Sequence, residues 1–323
     1  MLLLKRLWVL ITVFAILAVQ LCAVSVSADE IQNLEDATVV AATSQKYSEY
    51  VKSIDPKNGS GEYSFSPLYD NAVNGVEVAV IPSGNTVTAE IQVEETGIYN
   101  IGIDFMPYGM YDRYSVGLEI DGKEPFSEAG EIEFYSAFKG SEIKQDASGN
   151  DILPSCDSST ELCSVLFKNS SALYENPYSF YLEAGMHTLT LAVKKGELAL
   201  REIVINEPQN IPSYKEYISS NSNKENNASD TIMLEAEMPT LKSDQSIIAE
   251  TDRSGPDTTH GNNEENSSVS LKLNTLDGEN FKYINQWVSY DFTVETSGFY
   301  KIAMRVRQNL TDGLFSSRKV LLD

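Results

Sequence analysis

From residue 86 onward the chain alternates apolar and polar side chains with a period of two, and this pattern limits the possible fold more than any other feature. Val87, Ala89, Ile91 and Val93 share one face, while Thr86, Thr88, Glu90 and Gln92 take the other. Successive side chains of a strand point to opposite faces, so the pattern predicts a half-buried antiparallel strand. A second strand follows, with Tyr99, Ile101, Ile103 and Phe105 inward and Asn100, Gly102 and Asp104 outward. Glu95-Thr96-Gly97 joins the two, and its glycine suits a tight connection.

The same hairpin recurs. Val93-Glu94-Glu95-Thr96-Gly97-Ile98-Tyr99-Asn100-Ile101 aligns without a gap on Val294-Glu295-Thr296-Ser297-Gly298-Phe299-Tyr300-Lys301-Ile302. The flanks agree: Val288, Tyr290, Phe292 and Val294 alternate with Trp287, Ser289, Asp291 and Thr293 before the turn, and Tyr300, Ile302, Met304 and Val306 alternate with Lys301, Ala303, Arg305 and Arg307 after it. Two copies of one β module are the economical explanation. The first runs over residues 37–206, with later strands expected at 187–193, after the turn Ala184-Gly185, and at 200–205. A Pro-, Ser- and Asn-rich linker is expected at 207–229. The second copy, 230–323, lacks counterparts of the first copy's last strands, so it is expected to be incomplete and the chain to be a fragment of a longer protein.

At 323 residues the chain has room for two cores. Lys+Arg 24 against Asp+Glu 47 leaves a net charge of -23, which disfavours nucleic acid and anionic membrane faces as partners. His187 and His260 are the only histidines, so a histidine-rich metal site is excluded. No nucleophile elbow, phosphate loop or zinc signature is present, and the chain is not expected to be an enzyme. Residues 1–28 read as a secretory signal peptide: Lys5 and Arg6, an apolar run over 7–21, and Val26-Ser27-Ala28 before the cleavage point. The protein is therefore expected outside the cell, associated with its surface. There Cys156 and Cys163 could either pair or stay as thiols, because spacing does not give bridge geometry.

Trp287-Val288-Ser289-Tyr290 entering a strand, Gly298-Phe299-Tyr300, Leu234-Glu235-Ala236-Glu237 and Leu321-Leu322-Asp323 in the second copy resemble jelly-roll carbohydrate-binding modules with a galactose-binding-domain-like fold. Gly97-Ile98-Tyr99, Leu118-Glu119-Ile120-Asp121-Gly122-Lys123 and Gly185-Met186-His187-Thr188-Leu189 carry the resemblance in the first. It implies an all-β chain of two tandem antiparallel β-sandwiches, the second truncated. The stretches 145–155, 177–182 and 212–217, with Ser316-Ser317-Arg318, resemble the amino-terminal region of bacterial extracellular solute-binding proteins of sugar ABC transporters. That likeness implies an oligosaccharide or polysaccharide ligand and a transporter permease as partner, reached through a domain beyond residue 323. Accessory modules of a secreted glycoside hydrolase, or structural and adhesion modules with no sugar site, are the alternatives.

Tyr108-Gly109-Met110-Tyr111-Asp112-Arg113-Tyr114 places three tyrosines and a guanidinium in one loop. Sugar C–H faces stack on aromatic rings and charged groups bind hydroxyls, so Tyr108, Tyr111, Arg113 and Tyr114 are candidate carbohydrate-binding residues. The competing reading is that some of these rings cap the core. Arg305, Arg307 and Gln308 occupy the corresponding region of the second copy, and Trp287 is a candidate stacking platform or a ring packed under a neighbouring loop. Glu235 and Glu237, two apart on an expected strand, match the arrangement by which related modules hold a structural calcium. Asp146, Asn150 and Asp151 around Gly149 read as an ordinary turn, because their spacing misses the calcium-loop pattern.

Overall fold

The computed structural model describes residues 45–224, 231–252, 270–276, 279–307 and 317–322. The expected signal peptide, the start of the first module and Gln308 lie outside the described residues.

The first module opens with helix α1 (Tyr47–Ser53) and continues through β1 (Tyr63–Phe65), β2 (Asn71–Val73), β3 (Val76–Ile81), β4 (Thr86–Val93), β5 (Gly97–Met106) and β6 (Arg113–Ile120). A 3-10 turn (Ser127–Gly130) precedes β7 (Ile132–Tyr135), β8 (Phe138–Gly140), β9 (Lys144–Gln145), β10 (Asp151–Ile152), β11 (Cys156–Ser158) and β12 (Cys163–Leu166). The module closes with β13 (Phe180–Leu182), β14 (Gly185–Lys195) and β15 (Leu198–Asn206). One sheet has the order β12-β5-β15-β3-β2, with β1 on β15 and β13 on β5; the other has the order β4-β14-β6-β7. Every pairing in them is antiparallel. The two inner faces share a single apolar core, so the fold is an all-β jelly-roll sandwich.

The alternation explains these strands. On β4 the inward Ala89, Ile91 and Val93 are buried and the outward Thr86, Thr88, Glu90 and Gln92 are exposed. On β5 Tyr99, Ile101, Ile103 and Phe105 enter the core as expected, but Asn100 and Gly102 are buried too. The residues behind them account for this. Asn100 donates through Nδ2 to the Tyr178 carbonyl at 2.8 Å, and Gly102 lies against Val165 and Leu166 so closely that a Cβ would meet the Val165 carbonyl at 2.3 Å. At the base of the core Phe126 is ringed by Tyr47, Tyr50, Tyr178 and Phe180, with ring centroids 4.9–5.5 Å away. The Tyr47 and Tyr50 hydroxyls accept the Ser179 and Tyr181 amide hydrogens, which fastens α1 to the sheet.

The chain then leaves the sandwich through α2 (Tyr214–Ser220), whose Ser213 and Glu216 form a capping box. Beyond the linker come β16 (Leu241–Lys242), β17 (Ala249–Glu250), β18 (Thr275–Leu276) and β19 (Val288–Ser289). These short strands lie against the first module: β11-β8-β16-β19 form one sheet, and β17 pairs with β18. The strands expected over 290–294 and 300–306 are not strands; Phe292, Val294, Ile302, Met304 and Val306 stay exposed. Among the described residues no further strand or helix covers the apolar face of this ribbon, and a two-stranded ribbon alone is at best marginal. The turn itself keeps the feature that the repeat shares. The Tyr99 hydroxyl donates to the Glu95 carbonyl at 2.6 Å, and the Tyr300 hydroxyl donates to the Thr296 carbonyl, also at 2.6 Å.

Candidate functional site

The tyrosine loop separates into buried and open rings. Tyr114 is the second residue of β6 and points into the core, stacked on Phe134 and edge-on to Phe105. Its hydroxyl donates to the Tyr108 carbonyl at 2.9 Å and accepts the Tyr108 N–H at 3.1 Å, and burial raises its pKa. Tyr108 is half-buried and packs on the small cluster of Val78, Met106 and Ala199. Both rings shape the loop, and Tyr114 is fully buried. Tyr111 stays 39% exposed, held over Gly109 and Gly196, where an added Cβ would meet ring carbons of Tyr111 or Tyr114 at 2.9 Å or less.

Arg113 precedes Tyr114 and so faces outward, where the register sets it opposite Tyr135 of β7. Its Nη2 donates to the Tyr135 hydroxyl at 2.5 Å, and its Cζ lies 4.6 Å from the Tyr135 ring centroid. A second ring, Tyr283, comes within 5.8 Å of the same carbon from the stretch after the linker. Glu133 Oε2 lies 3.8 Å from Arg113 Nη1, a partly exposed pair worth little by itself. Burial raises the Tyr135 pKa, Arg113 opposes that rise, and the negative charge of Asp244 adds to it.

The neighbouring groups are held by hydrogen bonds. Asp112 Oδ1 accepts from the Gln245 backbone at 3.4 Å and from Gln245 Nε2 at 3.3 Å. Asp244 accepts from the Ser246 amide at 2.8 Å and from Gln286 Nε2 at 3.2 Å. Gln286 Oε1 accepts the Tyr283 N–H at 2.8 Å, which fixes the base of a ring that is 52% exposed. The result is a rim at which Tyr283 is exposed, Arg113, Glu133 and Gln286 are half-buried, and Tyr135 and Asp244 lie buried behind them.

The other expected residues lie elsewhere. Trp287 is half-buried, and its backbone exchanges two hydrogen bonds with Ser243, at 3.0 Å each. Arg305 is exposed. Arg307 is engaged by Asp252 at 2.5 Å. Glu235 and Glu237 sit in a turn closed by the Met238 N–H on the Glu235 carbonyl, so the strand geometry that would put both carboxylates on one side is absent. Pro239 follows directly and has no N–H to give a strand ladder, while the Tyr290 hydroxyl donates to the Ala236 carbonyl at 2.7 Å. Among the described residues no group of three or more His, Cys, Asp or Glu converges to hold a metal. Cys156 and Cys163 are free thiols on strands of different sheets, and burial pushes Cys163 up to about 11.

Asp146 accepts the Ser148 and Asn150 amides, the turn expected of that stretch. Asp151 does more: its buried carboxylate accepts from Lys272 Nζ at 3.1 Å and from the Leu273 amide at 3.0 Å. A cavity of about 190 Å³ lies in the same seam, lined by Gly140, Leu153, Pro154, Glu237, Lys242 and Leu276 among others.

The fold and rim define an antiparallel β-sandwich that presents an open aromatic and guanidinium face. No protein-family model and no curated protein matches the chain. It is similar to solved structures: the Podospora anserina GH26-CBM35 β-(1,4)-mannanase (14% identity, 47% of this chain, TM-score 0.28), the Phanerochaete chrysosporium exo-β-1,3-galactanase with galactose (14%, 47%, 0.25), and the family 35 carbohydrate binding module from Clostridium thermocellum (13%, 47%, 0.23). The chain covers 29% of the mannanase, 27% of the galactanase and 93% of the Clostridium module.

Proposed function

We propose that this is a non-catalytic saccharide-binding protein of the extracellular space, with its site at the Arg113 rim. The supporting observation is the guanidinium of Arg113 set between Tyr135 and Tyr283, beside carboxylates and an amide already held in place. Tyr283 and Tyr111 offer flat apolar faces to the C–H side of a sugar ring, while the half-buried Glu133 and Gln286 offer hydrogen bonds to its hydroxyls and Asp244 holds Gln286 from behind. The net charge of -23 favours uncharged saccharides over polyanions. Calorimetric titration of the whole chain with neutral tri- to hexasaccharides of glucose, mannose, galactose and xylose tests the reading. Binding that Arg113→Ala and Tyr283→Ala each weaken tenfold or more supports it, and silence across the panel sinks it.

We extend the proposal to sugar uptake through a transporter permease, on the likeness of residues 145–155, 177–182 and 212–217 to solute-binding proteins. Loss of the gene should then abolish uptake of the oligosaccharide that the protein binds. Intact uptake with impaired glycan breakdown would favour the accessory role beside a glycoside hydrolase.

A further inference from the structure

The rim is shared between two stretches of chain. Arg113 and Glu133 with Tyr135 come from β6 and β7, whereas Asp244, Tyr283 and Gln286 come from residues beyond the linker. The later stretch is tied to the module at further points that involve no rim residue. Asn150 Oδ1 accepts the Leu271 amide at 2.8 Å, and Asp151 Oδ2 accepts the Leu273 amide at 3.0 Å. Lys242 pairs with Phe138, the one register point between β16 and β8. Asn285 Nδ2 donates to the Asn169 and Ser170 carbonyls at 3.1 and 3.2 Å. These ties, with the buried Ile247, Ala249 and Leu273 beside them, form no continuous ladder like those of the sandwich, so separation of the two stretches is a lower-energy opening than unfolding of the module.

We propose that saccharide binding and docking of residues 231–252, 270–276 and 279–307 onto the first module form one linked equilibrium. The inference rests on the saccharide-binding reading and adds its regulation. A ligand that touches Arg113 on one side and Tyr283 on the other finds both only when the seam is closed. It therefore binds the docked state, and occupancy draws the seam shut. Linkage makes the effect reciprocal: whatever loosens the far ties weakens saccharide binding without touching the rim.

Hydrogen exchange over residues 270–276, read on the whole chain with and without the tightest-binding oligosaccharide of the calorimetric panel, tests this. The Leu271 and Leu273 amides report the far ties, because their partners Asn150 and Asp151 hold no rim residue. At ligand one hundred times its Kd, exchange through undocking should slow about 100-fold. Tyr283→Ala should lose that protection together with affinity, while Tyr111→Ala, whose ring packs on Tyr114 of the first module, should retain protection at matched saturation. Binding heat with unchanged exchange at Leu271 and Leu273 overturns the linkage and leaves the saccharide reading standing. No binding heat from any saccharide defeats both.

Discussion

The two copies of the hairpin motif make the same bond in different surroundings, and this separates the worth of the bond from the worth of its burial. Tyr99 is fully buried, and its hydroxyl donates to the Glu95 carbonyl at 2.6 Å and lies 3.2 Å from the Ser60 carbonyl. Burial, reinforced by the nearby Tyr63 and Glu95, pushes its pKa up to about 12, so it stays a neutral donor. Tyr300 makes the equivalent bond to Thr296 but is 36% exposed. Tyr99→Phe removes the donor that a fully buried ring gives to the Glu95 carbonyl, while the Ser60 carbonyl keeps the Tyr63 hydroxyl at 3.2 Å, a loss of about 1–2 kcal/mol. In a module of this size that lowers Tm by about 2–8 °C. Tyr300→Phe exposes its carbonyl to solvent and should stay within about 0.5 kcal/mol of the parent. Urea unfolding followed by circular dichroism measures both, with an unchanged m-value required for the comparison. Equal costs for the two substitutions, or a Tyr99→Phe change under about 0.5 kcal/mol, would refute the reasoning.

Three further outcomes follow from particular contacts. His187 lies between two acceptors, with Nδ1 2.7 Å from Asp121 Oδ2 and Nε2 2.7 Å from the Glu183 carbonyl, so both ring nitrogens carry protons in this arrangement. Burial opposes its charge, but Asp121 and the Glu183 carbonyl outweigh burial and its pKa is raised above 6.5. For Asp121 burial likewise opposes charging, and the Thr188 amide and His187 outweigh it, lowering its pKa below 3.8. The His187 contribution is complete below pH 6.5 and fades as pH rises through its folded value; the Asp121 contribution is complete above pH 3.8 and fades as pH falls through its folded value. The urea midpoint should therefore decline above pH 6.5, and His187→Gln should flatten that decline. Gly97→Ala would put a Cβ 2.2 Å from the Gly59 nitrogen, so a loss of about 3 kcal/mol or more is expected, read as a lowered midpoint or as insoluble protein. Lys272→Met removes the cation facing the buried Asp151 carboxylate and should speed hydrogen exchange over 270–276 about tenfold or more, with the sandwich core unchanged.

The first module was legible because its strands are buried on one side and its turns carry glycine. Residues 86–93, 97–106, 185–195 and 198–206 needed only the period-two rule and turn chemistry. The second stretch shows the limit of that rule. Alternation over 288–306 states which faces want burial, but a strand also needs a partner and a covering layer, and neither is contained in the pattern. The same limit applies to Glu235 and Glu237, where spacing implied a strand and the structure has a turn. Arg113 and Tyr111 were visible as a cluster with Tyr108 and Tyr114, but the loop's composition did not say which ring caps the core; the structure puts Tyr114 there. Tyr135 could have been found by pairing the outward position of residues 132–135 against Arg113, which requires the register. Tyr283, Asp244 and Gln286 had no local signal, since they arrive by docking across the linker.

The most direct test of the account is titration of the whole chain with the neutral oligosaccharide panel, repeated on Arg113→Ala, Tyr283→Ala and Tyr114→Phe. The account predicts saturable binding heat that falls tenfold or more with either of the first two substitutions and changes little with the third, whose ring stays in the core. Full-strength binding by Arg113→Ala and Tyr283→Ala, or no heat from the unaltered chain, would contradict it.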